Sequence, residues 1–402
     1  MKTRLLSVGV GLLMTGSLSA QVINTDTITN APLNSAQNLL NSTKKLTVGG
    51  YGQIDYNQGF NDTARTNGKL DVHRMVLFFG YKFNDRVNFV TEVEFEHVKE
   101  VYVEQAFINY KINPAINLKA GLMLIPMGIQ NEYHEPTTFN GVERTNVEHD
   151  IVPTTWRELG IGFGGNIDNL SLKYQIYAVN GFLSYDGGGK IRGKDGFRKG
   201  RQKGAESTMS TPNLSTKVDF YGIKGLKLGL AGYFGKTQST LYDQLSKTDT
   251  TGLAQQADSS VVGMAMVGFD VRYTFKAFEA RGQVIHTSVS NTKEYNTFTG
   301  KDLGSTMLGY YGEVGYDVLN LFNKDAKQKL VVFGRYEYWD TQASVTSELT
   351  KNEAYDRSAI TLGLSYHIAQ GAVLKADYQM FDNNASGNKS TNFFNMGLGV
   401  WF

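Results

Sequence analysis

The last twelve residues of the chain, TNFFNMGLGVWF at positions 391–402, decide the fold. Apolar side chains alternate along them with small or polar ones: Phe394, Met396, Leu398, Val400 and Phe402 share one face, and Asn395, Gly397 and Gly399 share the other. A period of two puts successive side chains on opposite faces of a β-strand. The segment is therefore predicted to be a strand with one continuously apolar face.

The same alternation recurs upstream, and there the face opposite the apolar one carries charges. Lys375 and Asp377, for example, oppose Leu374, Ala376 and Tyr378. About sixteen such segments occur, centred near residues 50, 76, 91, 106, 119, 161, 175, 217, 230, 268, 283, 312, 335, 362, 377 and 396. An even number of strands suits a closed antiparallel barrel, and a barrel of this size encloses an aqueous channel. The sequence therefore predicts an all-β fold, a transmembrane antiparallel β-barrel of about sixteen strands.

The connections between these segments alternate between short and long. The short ones are Asn84-Asp85, Asn113-Pro114, Asp168-Asn169, Gly222 to Gly225 and Gln370-Gly371, and the long ones are 125–155, 181–212 and 236–259. In outer-membrane barrels short turns are periplasmic and long loops are extracellular. At the first of these turns a three-residue turn that includes Arg86 gives the best register. It pairs Phe79 with Thr91 and puts Arg74 opposite Glu96 on the inner face.

The N-terminus has the pattern of a secretory signal. Lys2 and Arg4 precede an apolar run at 5–18, and Ser19 and Ala20 offer a cleavage site. We expect a signal peptide at 1–20, a polar N-terminal lead-in at 21–44 and the barrel at 45–402. No later run of about 18 apolar residues could form a transmembrane helix. The expected location is the outer membrane of a Gram-negative bacterium, in contact with its lipid and lipopolysaccharide.

Composition excludes several kinds of site. The chain has no Cys, which rules out disulfides, thiol nucleophiles and cysteine metal sites. Loss of Lys2 and Arg4 with the signal peptide turns 40 basic and 38 acidic residues into 38 and 38, so no bulk attraction to nucleic acid is expected. The six His suggest no Ser-His-acid arrangement, and no G-x-S-x-G motif occurs. No enzyme activity, catalytic residue, cofactor or metal site is therefore predicted.

Three stretches carry a resemblance to a known family: AGLMLIPMG at 120–128, FNGVER at 139–144 and IVPTTWRELGIGF at 151–163. They resemble the phosphate-selective porin O and P family. The resemblance implies a sixteen-stranded barrel, commonly a homotrimer, whose long third loop folds into the lumen and narrows the pore. Segment 125–155 fits that role. The strand ending on Phe402 likewise resembles the signal that the barrel-assembly machinery recognises.

The charged residues of segment 125–155 are the candidates for the constriction: Glu132, His134, Glu135, Arg144, Glu148, His149 and Asp150. Phosphate-selective members line their pores with Arg and Lys. Here acidic residues outnumber Arg144, so the field of the loop is expected to favour cations or neutral solutes. The imidazoles among carboxylates offer ligands for a divalent cation. Their spacing matches no metal motif, however, and solvated constriction residues are the preferred interpretation.

Two further sets complete the candidate site. Inward strand positions predict channel-lining charges at Arg74, Glu92, Glu94, Glu96, Lys119, Arg272, Arg281, Arg335, Glu337, Lys375 and Asp377. The next loop, expected to be extracellular, carries the basic run Lys190, Arg192, Lys194, Arg198, Lys199, Arg201 and Lys203. This run could funnel anions, bind the phosphates of lipopolysaccharide or be a solvated loop.

The function that the sequence predicts is that of a porin, a water-filled channel for passive diffusion of small hydrophilic solutes or ions. Phosphate and other anions are among the candidate solutes. The alternative is a barrel that acts as a surface binding or adhesion protein through its extracellular loops, of which 181–212 and 236–259 are long enough.

Overall fold

Antiparallel hydrogen bonding joins the predicted strands into one closed barrel. The computed structural model describes residues 34–60, 66–243, 245–387 and 390–402. The predicted signal peptide and residues 21–33 of the lead-in lie outside the described residues. The described residues contain eighteen strands: β1 (Leu46–Phe60), β2 (Lys69–Lys82), β3 (Val87–Glu96), β4 (Glu100–Asn113), β5 (Ile116–Leu124), β6 (Arg157–Ile167), β7 (Leu172–Val179), β8 (Leu183–Tyr185), β9 (Asn213–Ile223), β10 (Leu226–Lys236), β11 (Gln238–Ser239), β12 (Gly263–Phe275), β13 (Phe278–Ser290), β14 (Thr306–Asp317), β15 (Lys329–Ser344), β16 (Asp356–Ala369), β17 (Ala372–Asn383) and β18 (Thr391–Trp401).

Sixteen of these described strands form the barrel, and each pairs with its neighbours along the chain. The exceptions are β8 and β11, which lie in two long connections and pair with each other in parallel. Every predicted strand centre falls within a barrel strand, and the predicted short turns and long loops fall between these strands or overlap their ends by one or two residues. The β2–β3 register is also confirmed, because Phe79 pairs with Thr91 and Arg74 pairs with Glu96.

The first and last strands close the barrel. β1 pairs with β18, with Tyr51 opposite Trp401. At the end of this seam Gly50 and Phe402 exchange two backbone hydrogen bonds, each of 2.9 Å. Within the described part of the chain no barrel strand keeps an unpaired edge, which is the condition for a sheet to lie in lipid.

The two faces of the barrel differ as the alternation predicts. Met396 and Phe402 on the outer face are 49% and 50% exposed, whereas Lys375 and Asp377 on the inner face are 6% and 3% exposed. An apolar exterior around a charged interior is the arrangement of an outer-membrane barrel. The predicted fold class and location are thereby confirmed. Among the described residues no helix is long and apolar enough to cross a membrane.

The described helices are short and lie outside the barrel wall strands. They are α1 (Ser35–Leu40), α2 (Leu253–Ser259), α3 (Thr292–Thr299), α4 (Leu319–Phe322), a π-helix at Val147–Ile151 and 3-10 turns at Asp168–Leu170, Arg198–Gly200, Thr240–Tyr242 and Glu353–Tyr355. α1 belongs to the predicted polar lead-in. It packs inside the barrel, since Ala36 and Leu39 are buried and Leu39 lies against the inner face of Gly80.

The turn between β16 and β17 tests how tightly the seam strands are packed. Gly371 has φ +79°, and a Cβ there would overlap the backbone carbonyl oxygen of Trp401. Gly300 has φ +66° and open space around it, so Gly300→Ala should cost only the left-handed strain of about 1–2 kcal/mol. We expect Gly371→Ala to lower the free energy of unfolding in urea by clearly more than that, measured on the barrel folded in detergent micelles. Equal losses would show that the turn has room to shift.

Candidate functional site

The connection between β5 and β6, residues 125–156, crosses the barrel interior and is called the interior loop. On the far wall, the Nζ of Lys375 donates to the carbonyl oxygen of Phe139 at 2.7 Å. The backbone N–H of Val142 donates to Oδ2 of Asp377 at 2.6 Å. The predicted folding of the third loop into the lumen is therefore confirmed, and inward strand charges are its anchors.

Two side chains hold the limbs of the interior loop together. The buried carboxylate of Glu148 accepts the backbone N–H groups of residues 129–131 at 2.9, 2.7 and 2.8 Å. Asn131 donates to the carbonyl oxygen of Trp156 at 3.0 Å and accepts from its backbone N–H at 2.7 Å. Burial raises the pKa of Glu148 to about 7, against the opposing effect of its hydrogen bonds. Glu148 thus serves as a structural link within the loop.

Other carboxylates of the loop are neutralised by basic residues of the wall. Glu132 lies 2.7 Å from the Nζ of Lys217 and 3.4 Å from the Nζ of Lys173. Asp150 lies 2.7 Å from Nη1 of Arg357. Burial by itself raises the pKa of Glu132, but the two lysines outweigh it and hold the pKa below its usual range. The formal acidity of the loop is therefore not the charge that it presents to solvent.

Of the remaining candidate residues on the loop, His134 and Glu135 pack against the barrel wall, and Arg144 and His149 border a cavity that is described below. His134 and Glu135 are fully buried, and Glu135 accepts the backbone N–H of Ser35 at 3.2 Å. Arg144 donates to the carbonyl oxygen of His134 at 2.9 Å and borders the cavity. His149 also borders it, with Nδ1 at 2.7 Å from Oδ1 of its neighbour Asp150.

Most of the predicted channel-lining charges are covered by the interior loop. Arg335 is fully buried between Glu313 at 3.3 Å and Glu337 at 2.9 Å. The backbone N–H of Asn146 donates to Glu337. Of the eleven strand residues predicted to line the channel, all of which are described, the cavity is bordered by Arg74, Glu94 and Glu96. Glu92, Lys119, Arg272, Arg281, Arg335, Glu337, Lys375 and Asp377 face the interior but do not border this cavity.

The cavity has a volume of about 500 Å³ and lies between the interior loop, the β1–β4 wall and the β17–β18 hairpin. Six basic side chains border it: Arg74, Arg144, Arg157, Arg198, Arg201 and Lys203. Four carboxylates do so as well: Glu94, Glu96, Glu143 and Glu148. Glu94 is already paired with Arg74 at 3.4 Å. Because Glu148 is also held inside the loop, the cavity presents an excess of positive charge.

Three of the six basic side chains belong to the basic run on the loop between β7 and β9. This loop, residues 180–212, is called the cover loop. Arg198 and Arg201 each donate to the carbonyl oxygen of Thr154, at 2.8 and 2.9 Å. Phe197 is buried and stacks on Phe182 at 5.3 Å. The cover loop is thus folded onto the interior loop, and its ordered structure contradicts the interpretation as a solvated, unstructured loop.

The aromatic stack extends from the cover loop to the barrel. Phe182 stacks on Trp156 of the interior loop at 4.6 Å, and Trp156 contacts Tyr233 of β10 at 4.5 Å. The other cations of the basic run stay outside the cavity. Lys190 lies 3.3 Å from Asp186, and Arg192 forms two hydrogen bonds with Asp195 at 2.9 and 2.8 Å. Lys194 and Lys199 are exposed.

Comparison with known proteins agrees with this architecture. No family model matches the chain. A relative from Aquifex aeolicus, described as an uncharacterized protein, is 32% identical over 349 residues, which are 83% of this chain and 75% of the relative. The barrel is similar to the outer membrane channel DcaP of Acinetobacter baumannii, with a TM-score of 0.56 and 12% identity over 89% of this chain and 97% of that one. It is also similar to an anion-selective porin from Comamonas acidovorans, with a TM-score of 0.52 and 12% identity over 89% of this chain and 100% of that one. At these identities the structural likeness shows the fold, which is that of the outer-membrane porins.

The buried pair of Glu132 and Lys217 supplies a test of how the loop is anchored. In Glu132→Gln the fully buried Lys217 loses its nearest carboxylate but keeps Asp270 at 3.4 Å and Asp219 at 3.9 Å. We therefore expect a loss in the free energy of unfolding of about 3 kcal/mol, the lower end for breaking a buried pair. Glu348→Gln removes the exposed partner of Lys293 and should change little. Urea titration of both variants in micelles measures the difference. A negligible effect of Glu132→Gln would mean that the loop does not depend on this pair.

Proposed function

We propose that this chain, which belongs to the same family as the uncharacterized protein of Aquifex aeolicus, is an outer-membrane channel for the passive diffusion of small hydrophilic anions. The observation that carries the proposal is the excess of guanidinium groups around the cavity above the interior loop. Guanidinium groups stay charged at every physiological pH and pair with carboxylate and phosphate oxygens through two parallel hydrogen bonds.

The charge that a permeating ion meets differs from the formal charge of the loop. Glu132 and Asp150 are paired with wall cations, and Glu148 is occupied by backbone N–H groups. Arg144, Arg198 and Arg201 donate to backbone carbonyl oxygens, and among the described residues no carboxylate forms an ion pair with them, so their charge is not neutralised. A cleft with one prevailing sign and walls of low dielectric constant concentrates counter-ions, here anions.

Phosphate is a reasonable member of this anion class, because its oxygens match arginine forks and the segments at 120–163 resemble phosphate-selective porins. The finer assignments remain part of the proposal: residues 45–402 as the channel domain, a homotrimer as the assembled form, and recognition of the Phe402 strand by the barrel-assembly machinery. The alternative of a surface adhesin is less well supported. Its longest candidate loop, the cover loop, is folded onto the interior loop by the aromatic stack.

Reversal potentials in a planar bilayer test the proposal. Removing Arg144, Arg198 and Arg201 together as R144Q/R198Q/R201Q should lower the chloride-to-potassium permeability ratio several-fold, because these three cations border the cavity. K190Q/K194Q/K199Q removes the same formal charge, all of it from the cover loop, at positions outside the cavity. That control should leave the ratio nearly unchanged.

Two results would contradict the proposal. Absence of discrete conductance steps at high protein concentration would exclude a channel. A control that lowers the ratio as much as the cavity variant would assign ion selectivity to the outer surface field instead. Electrophoretic mobility with and without heating verifies that each variant still forms a folded barrel.

A further inference from the structure

Three buried side chains meet where the interior loop touches the wall formed by β3 and β4. They are Glu92 of β3, Glu104 of β4 and His134 of the interior loop, and all three are fully buried. The Nε2 of His134 lies 3.4 Å from Oε2 of Glu104 and 4.0 Å from Oε2 of Glu92. One nitrogen and two carboxylates from three separate segments therefore converge on one point.

A bulge in β4 is what turns Glu104 inward. Glu92 pairs with Gln105, and the next pair joins Val93 to Val103, so Glu104 is the extra residue of the bulge. In regular alternation Glu104 and Gln105 would face opposite sides, yet both are buried in the interior. β-Bulges often redirect a side chain beside a functional site.

Each of the three groups is oriented by a hydrogen bond to a neutral partner outside the cluster. The Nδ1 of His134 lies 3.4 Å from the carbonyl oxygen of Asn131, and because a carbonyl only accepts, Nδ1 carries the proton. The hydroxyl of Ser35 donates to Oε1 of Glu92 at 2.6 Å, and that of Tyr51 donates to Oε2 of Glu104 at 3.1 Å. Metal-binding imidazoles and carboxylates are oriented in this way by outer partners.

Two of the atoms that face one another have no hydrogen-bond partner. Within the described part of the chain the buried Nε2 of His134 and Oε2 of Glu92 make no hydrogen bond. Oε2 of Glu104, which faces Nε2, accepts only from Tyr51, and Oε1 of Glu104 lies 3.9 Å from Arg157 without a hydrogen bond. If Nδ1 carries the only proton of the ring, Nε2 directs a lone pair at two carboxylates. Burying such groups without compensation is costly. A cation between them would accept all three lone pairs.

A second cluster of similar composition differs because its histidine already has protein partners at both ring nitrogens. Asp55, His73 and Glu143 also lie close together. There Nδ1 of His73 lies 2.9 Å from Asp55, and Nε2 lies 2.6 Å from Nη2 of Arg74. Both ring nitrogens of His73 are therefore used within the protein, and this cluster offers no free imidazole ligand.

We propose that Glu92, Glu104 and His134 bind one divalent transition-metal cation, and that this ion ties the interior loop to β3 and β4. One imidazole and two carboxylates, with solvent as a fourth ligand, are a ligand set that Zn²⁺ accepts. Ligand atoms about 2.0–2.2 Å from a tetrahedral ion lie roughly 3.4 Å apart. The His134–Glu104 distance already has this value, and Glu92 needs a shift of about half an ångström. The proposal is independent of which solute the barrel conducts.

Metal binding can be measured on the intact barrel in detergent. After dialysis against a chelator and reloading with Zn²⁺, the wild-type protein should hold one equivalent per chain and unfold at a higher temperature than the stripped protein. His134→Gln and Glu104→Gln should abolish both effects. His149→Gln removes the other histidine of the same loop and should leave both unchanged. Loading with Co²⁺ should add visible absorption that His134→Gln lacks.

A stripped wild-type protein that takes up no Zn²⁺ and no Co²⁺ would overturn the proposal. So would His134→Gln binding as tightly as wild type. If the ligand variants do not fold, Ser35→Ala decides, because it removes only the outer partner of Glu92 and should weaken Zn²⁺ binding roughly tenfold. In that case unchanged Zn²⁺ affinity in Ser35→Ala would also overturn it.

Discussion

Closure of the β1–β18 seam is the constraint on which the rest of the structure depends. In lipid every backbone polar group needs a partner, so the sheet must close and the side chains must sort by parity into an apolar exterior and a polar interior. The sorting leaves many buried charges in the interior, including Arg335, Lys375 and Lys217. Each of them needs a hydrogen-bond acceptor or a carboxylate nearby. The interior loop supplies these partners: its carbonyl oxygens and carboxylates accept hydrogen bonds from the buried cations of the wall.

The pairing of loop carboxylates with wall cations explains why a loop rich in acidic residues borders a basic cavity. A wall cation buried without a carboxylate would be costly, and the interior loop supplies one by pairing Glu132 with Lys217 and Asp150 with Arg357. Backbone N–H groups take up Glu148 in the same way. Arg144 finds no carboxylate on the wall and is left at the open side, where the cover loop adds Arg198 and Arg201. Charge counted along the sequence and charge presented to a solute therefore have opposite signs here.

The sequence was sufficient for the barrel because parity is a local property. Alternation located every barrel strand, and side-chain pairing set the β2–β3 register from three residues of turn. It was insufficient where the structure departs from regular alternation or depends on contacts between loops. The bulge that turns Glu104 inward interrupts the two-residue period, and the residue types around it do not predict a bulge. A solvated loop was one of three interpretations that the sequence left open for the cover loop, because charged residues dominate its composition. Phe197 was the available signal that one side of it is buried.

The cluster around His134 follows from the same requirement that buried charges have partners of opposite sign. Elsewhere around the barrel the interior loop is held by pairs that balance, such as Glu132 with Lys217 and Asp377 with the backbone of Val142. Toward β3 and β4 the loop brings His134 and Glu135 against Glu92 and Glu104, and the nearest strand cation to Glu104, Arg157, lies 3.9 Å away. The lead-in helix α1 adds only neutral donors, the hydroxyl and backbone N–H of Ser35. A carboxylate-rich contact of this kind needs a positive charge at its centre if it is to fix the loop as firmly as the opposite wall does. A divalent cation supplies that charge at the point between His134, Glu92 and Glu104, which Arg157 does not reach.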